Sequence, residues 1–179
     1  VVEGNVLDGG INLAVFGNGS KDIVIRGNTG KVINLLEIEG GDMENIVIEG
    51  NNLEITGELI YIAGLQSGTL KNLIIRNNRF KLSGSTRILL NRGATYDKAV
   101  DNVIFEGNII YGADPTIDIA IYVSNYDSAT GTKYRSAQNV IIRNNVFRNC
   151  KYVNIRTVSG EDTLFVYHNI NWSYKDGGS

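Results

Sequence analysis

One cysteine, Cys150, and one histidine, His168, are all the thiol and imidazole chemistry that 179 residues contain. A lone cysteine forms no intrachain disulfide, and in its apolar neighbourhood Cys150 reads as a small core residue. A lone histidine has no second imidazole with which to share a metal. No segment reaches the roughly 18 consecutive apolar residues of a membrane helix, and the residues after Val1 form no signal-peptide pattern. Clustered basic residues are missing too: a formal charge of −2 and a pI near 5.4 give no electrostatic footprint for a nucleic acid. Neither a membrane nor a nucleic acid is therefore expected as a partner. The chain begins without a methionine and in mid-repeat, and is expected to be a processed or excised piece of a longer protein.

What the chain does have is a repeated phrase. Hydrophobic residues make up 42% of the chain, enough material for one domain with a sizeable core. VVEGNV, DIVIRGNT, NIVIEGNN, NLIIRNNR, NVIFEGNI, NVIIRNNV and TLFVYHNI align on Asn5, Asn28, Asn51, Asn78, Asn108, Asn145 and Asn169, at spacings of 23, 23, 27, 30, 37 and 24. A short unit lengthened by insertions is the signature of a solenoid. Each copy also holds a second apolar run of period 2, such as LAVF (13–16), LLEIE (35–39), LIYIA (59–63) and IAIYVS (119–124). This alternation predicts strands all the way round and argues against the helical return arm of a leucine-rich repeat.

Stacked units turn equivalent residues into columns. Two columns are large and apolar and predict a dry core: Ile23, Ile46, Leu73, Val103, Val140 and Leu164, and Val2, Ile25, Ile48, Ile75, Phe105, Ile142 and Val166. The Asn column predicts an amide ladder at a sharp corner. The residue before it is Gly, Asn or His168, mostly types that tolerate positive φ, which gives His168 a structural role. Next outward, Glu3, Arg26, Glu49, Arg76, Glu106 and Arg143 alternate in sign before Tyr167, and Asp8, Lys31, Glu54 and Lys81 keep the same phase. Alternation gives each strand opposite-charge neighbours and penalises pairing out of order. Between these lies an apolar outward stripe, Val1, Val24, Val47, Ile74, Ile104, Ile141 and Phe165, which predicts a covering partner: a homotrimer or a flanking domain.

The phrase N-Φ-x-Φ-x-[GN]-N-x-Φ, repeated over the whole chain, resembles the single-stranded right-handed parallel β-helix of the pectate-lyase-like superfamily. The expected fold is thus all-β, a right-handed parallel β-helix of about seven rungs over 1–172, followed by a tail or linker at 173–179. The resemblance implies an extracellular protein that binds or degrades a polysaccharide, as in secreted carbohydrate-active enzymes and phage tailspikes. A non-catalytic structural or adhesive shaft is the alternative.

Function is expected where repetition fails. The outward positions of the second strand run through Glu37, Glu39, Tyr61, Arg87, Asn91, Tyr122, Asn154 and Arg156. Beside them lie two long insertions, 92–101 and 124–138, each with Tyr-Asp and a following Lys: Tyr96, Asp97 and Lys98, and Tyr126, Asp127 and Lys133. With Arg92 and Arg135 they make a candidate sugar-binding wall. A lyase needs a cation for the uronate carboxylate, a role for Arg87, Arg92 or Arg156, and a base for the C5 proton, a role for Lys98, Lys133 or Tyr122. A hydrolase needs two carboxylates about 5–10 Å apart, for which Glu37 with Glu39, or Asp97 with Asp127, are available. The clustered Asp and Gly-His-Gly signature of polygalacturonases is absent. No cofactor is expected, and calcium has no clear site of several nearby carboxylates.

Overall fold

The computed structural model describes residues 1–10, 12–16, 19–38, 41–62, 68–84, 86–89, 100–122, 125–127, 132–134, 137–156 and 164–172. The expected tail at 173–179 lies outside them. The described residues contain strands and no helix.

Each copy of the phrase makes one strand of a seven-stranded parallel sheet, here sheet A: Val2–Glu3, Lys21–Arg26, Met43–Glu49, Leu70–Arg76, Val100–Glu106, Ala137–Arg143 and Leu164–Tyr167. The residues after the ladder Asn make sheet B, also seven-stranded: Val6–Asp8, Thr29–Val32, Asn52–Ile55, Arg79–Leu82, Ile109–Gly112, Val146–Arg148 and Ile170–Trp172. The second apolar run makes sheet C, of six strands: Ala14–Phe16, Leu36–Ile38, Ile60–Ile62, Thr86–Leu89, Asp118–Tyr122 and Tyr152–Arg156. The chain is a parallel β-solenoid, all-β, whose three sheets enclose a single core.

The register follows the sequence columns. Ile23, Ile46, Leu73, Val103, Val140 and Leu164 are successive partners, and so are Ile25, Ile48, Ile75, Phe105, Ile142 and Val166. From Ile46 to Ile142 these residues are at most 3% exposed, whereas Val166, on the last strand of sheet A among the described residues, is 46% exposed. Sheet B adds Leu53, Phe80, Ile110 and Phe147, and sheet C adds Leu36, Ile38, Ile60 and Ile119. Side chains of this size, fully removed from water, each contribute about 1.5–3 kcal/mol. Cys150 is buried in the same core, and burial pushes its thiol up, with a smaller push from Asp118.

The corner between sheets A and B carries the ladder. Backbone N–H and Nδ2 of Asn51 both donate to Asn78 Oδ1, at 3.0 and 2.9 Å, and Asn78 does the same to Asn108, at 3.1 and 3.0 Å. The second Nδ2 hydrogen points back to a core carbonyl, Ile25 for Asn51 and Ile48 for Asn78. The pattern runs unbroken from Asn5 to Asn169, and the five asparagines between them are at most 2% exposed. Each buried turn is thereby satisfied without water. The preceding column, Gly4, Gly27, Gly50, Asn77, Gly107, Asn144 and His168, is left-handed throughout, with φ from 53° to 68°. His168 supplies such a corner and packs edge-on against Tyr167, their ring centroids 5.2 Å apart.

Candidate functional site

Sheet C positions the expected wall. Its register sets Glu37 beside Tyr61, Tyr61 beside Leu89, Leu89 beside Tyr122 and Tyr122 beside Arg156. A second column, two residues earlier on the strands, sets Arg87 beside Ala120 and Ala120 beside Asn154. Four expected residues, Glu37, Tyr61, Tyr122 and Arg156, therefore share one column, and Arg87 stands in the other. The insertion at 124–138 contains a β-hairpin: Asn125–Asp127 pairs antiparallel with Thr132–Tyr134, which sets Tyr126 opposite Lys133 and Asp127 opposite Thr132. Glu39, Asn91, Arg92, Tyr96, Asp97, Lys98 and Arg135 lie outside the described residues.

Glu37 is tied into the scaffold. Its Oε2 accepts from Asn12 Nδ2 at 2.5 Å and from Asn34 Nδ2 at 3.3 Å, and Asn34 Oδ1 in turn accepts the backbone N–H of Glu58 at 2.7 Å. Asn12 and Asn34 were absent from the sequence columns; their spacing within the repeat is the only signal that points to them.

The outer faces of sheets A and B are organised by charge. Arg26 meets Glu3 at 2.9 Å, Arg76 meets Glu49 at 2.7 Å and Arg143 meets Glu106 at 2.6 Å. The expected column thus resolves into pairs, each arginine bonded to the glutamate of the preceding strand. The hydrogen bonds that Arg143 donates to Tyr167 and Glu106 push its guanidinium up. On sheet B, Glu54 accepts from Lys81 at 2.8 Å and from Ser83 at 2.8 Å, and faces Lys31 at 3.5 Å. These contacts hold its carboxyl at about 2, well below the usual range, and the Glu54 contact pushes Lys81 up.

A second stack was not anticipated. The leading Asn of the phrase is also left-handed, as are Asp22, Asn45, Asn72, Asn102 and Asn139, with φ from 52° to 59°. Asn45 Nδ2 donates to Asp22 at 2.7 Å, Asn72 to Asn45 and Asn102 to Asn72 at 2.8 Å each. The register skips these residues, passing from Lys21 beside Glu44 to Ile23 beside Ile46. They form an aligned series of bulges on the surface.

An open groove of about 370 Å³ lies along Glu3, Arg26, Gly27, Glu49, Gly50 and Asn77. Its charged groups are already paired, Arg26 with Glu3 and Glu49 with Arg76. Among the described residues, no three His, Cys, Asp or Glu side chains group as metal ligands. The apolar stripe is half-buried from Val24 to Ile141, while Val1 and Phe165 at its ends are 83% and 54% exposed. No protein-family model, no curated protein and no solved structure matches this chain.

Proposed function

We propose that this chain is a polysaccharide-binding solenoid, a right-handed member of the pectate-lyase-like superfamily working outside the cell, with its sugar site along sheet C. The supporting observation is the column Glu37, Tyr61, Leu89, Tyr122, Arg156. The outward columns of sheet A repeat one chemical type or alternate in sign, whereas this one changes type from strand to strand. Acid, aromatic and cation in line fit hydroxyl, sugar-ring and carboxylate recognition in turn.

Cleavage of the bound polymer, as a lyase or a glycosidase, would draw on Arg87, Arg156 and Asp127 with Lys98 and Asp97. Retardation in native gels containing polygalacturonate tests binding, and the ultraviolet absorbance of an unsaturated uronate tests elimination. Loss of either in Arg87→Ala, Lys98→Ala or Arg156→Ala is the expected result. Unchanged behaviour in all three sinks the sheet C site.

The half-buried apolar stripe favours a second reading, a structural shaft covered by a homotrimer or a flanking domain. Sedimentation of the isolated chain as a monomer counts against the trimer.

A further inference from the structure

Every Lys and Arg in the strands of sheets A and B has an Asp or Glu as a register neighbour, with two exceptions, Arg79 and Arg148. Arg79 stands between Asn52 and Ile109, and Arg148 between Tyr111 and Trp172. Both are exposed. They flank the place where the charge pattern of sheet B breaks: after Asp8, Lys31, Glu54 and Lys81 the next strand should bring an acid, and it brings Tyr111. The Arg79 guanidinium lies over that ring, 5.0 Å from its centroid. An aromatic face orients a guanidinium without consuming its N–H donors, which stay free for a planar anion. The nearest carboxylate partner in the column, Glu54, is taken by Lys31 and Lys81.

We propose that Arg79, Tyr111 and Arg148 form a second binding surface, on sheet B, for the carboxylates of an acidic polysaccharide. The three residues lie on successive strands about 4.8 Å apart, so a linear polymer running along the solenoid axis meets all of them. Guanidinium pairs bidentately with carboxylate. Two cations unpaired among the described residues, on a chain of net charge −2, suit a polymer with about one charge per sugar; the dense phosphates of a nucleic acid require a far more basic face. The proposal rests on the preceding reading for the class of polymer and on none of its residues.

The test is native affinity electrophoresis of the whole chain through gels containing polygalacturonate, neutral dextran, heparin or an oligothymidylate, with Arg79→Gln, Arg148→Gln, their double variant, and Arg87→Gln/Arg156→Gln. Retardation by polygalacturonate but not dextran is expected, weakened about tenfold by each sheet B variant. Neither side chain donates a hydrogen bond to the described residues, so an unchanged circular dichroism spectrum is expected. Retardation unaffected by the sheet B variants overturns this surface, whatever the sheet C variant does. Loss in the sheet B variants alone supports it and counts against sheet C. A chain that ignores polygalacturonate overturns both readings. Stronger retardation by heparin or the oligonucleotide, lost in the same variants, overturns the carboxylate assignment.

Discussion

Arg76 donates from Nε to Glu49 Oε2 at 2.8 Å and holds Nη2 2.7 Å from the same oxygen, while Arg26, the other column neighbour of Glu49, turns to Glu3. The column is a row of dimers, yet each dimer still feels its neighbours. Glu49→Arg is expected to cost a few tenths to about 1 kcal/mol, partly exposed as the pair is. Exchanging the two residues will not restore stability, because the introduced arginine sits beside Arg26 and the introduced glutamate beside Glu106. Urea midpoints of the two single variants and the exchange check this; full recovery would show an isolated pair.

The ladder is a far stiffer constraint. Asn78→Ala removes the acceptor of two Asn51 donors, and takes one donor from the Ile48 carbonyl and one from Asn108 Oδ1, which keeps the backbone N–H of residue 78. At about 1–3 kcal/mol for each of the two buried donors left unmade, a loss of about 2 kcal/mol or more is expected. A loss below about 1 kcal/mol in chemical denaturation would mean that water enters the corner.

The left-handed column can be probed at two glycines of equal φ, +63°. A Cβ on Gly50 meets nothing within 4 Å, whereas one on Gly107 comes within 2.6 Å of Asn77 Oδ1. Gly107→Ala is therefore expected to destabilise more than Gly50→Ala. Gly50→Asn should be nearly neutral, since Asn77 and Asn144 hold the same conformation unaided. Melting temperatures of the three variants decide it.

Much of this architecture was legible because a solenoid turns sequence period into spatial neighbourhood. The core columns, the ladder and the left-handed corner could be read from alignment alone. What escaped was whatever breaks period 2. Met43, Leu70 and Val100 are buried, yet counting back by twos from Ile46 puts Glu44 inside instead. The bulge at Asn45 resets the alternation by one residue. The sheet B column was followed only to Lys81, so the Tyr111 and Arg148 that end its alternation went unnoticed. Glu39, Asp97 and Lys98 fall outside the described residues, and the hairpin pairing Tyr126 with Lys133 lies within what had read as an irregular insertion.

Acid should find one weak point in sheet B. Glu54 titrates at about 2 in the folded chain, against 4.5 for an ordinary glutamate. A folded-state value below the unfolded one means that the ionised carboxylate stabilises the fold at neutral pH. That contribution fades as pH falls from about 4.5 toward about 2. Glu54→Gln is expected to lower stability at neutral pH and to lose less on acidification than the parent. Parallel curves from about pH 6 to pH 2.5 would remove Glu54 from the acid response.

The ladder also has a polarity. Each asparagine's backbone N–H is answered only by the amide oxygen of the following copy, so Asn28 waits for Asn51 and Asn51 for Asn78. A coil thus cannot seal its own corner. Each coil's corner is closed by the coil that follows it in sequence, so the ladder ties neighbouring coils together with one polarity along the chain.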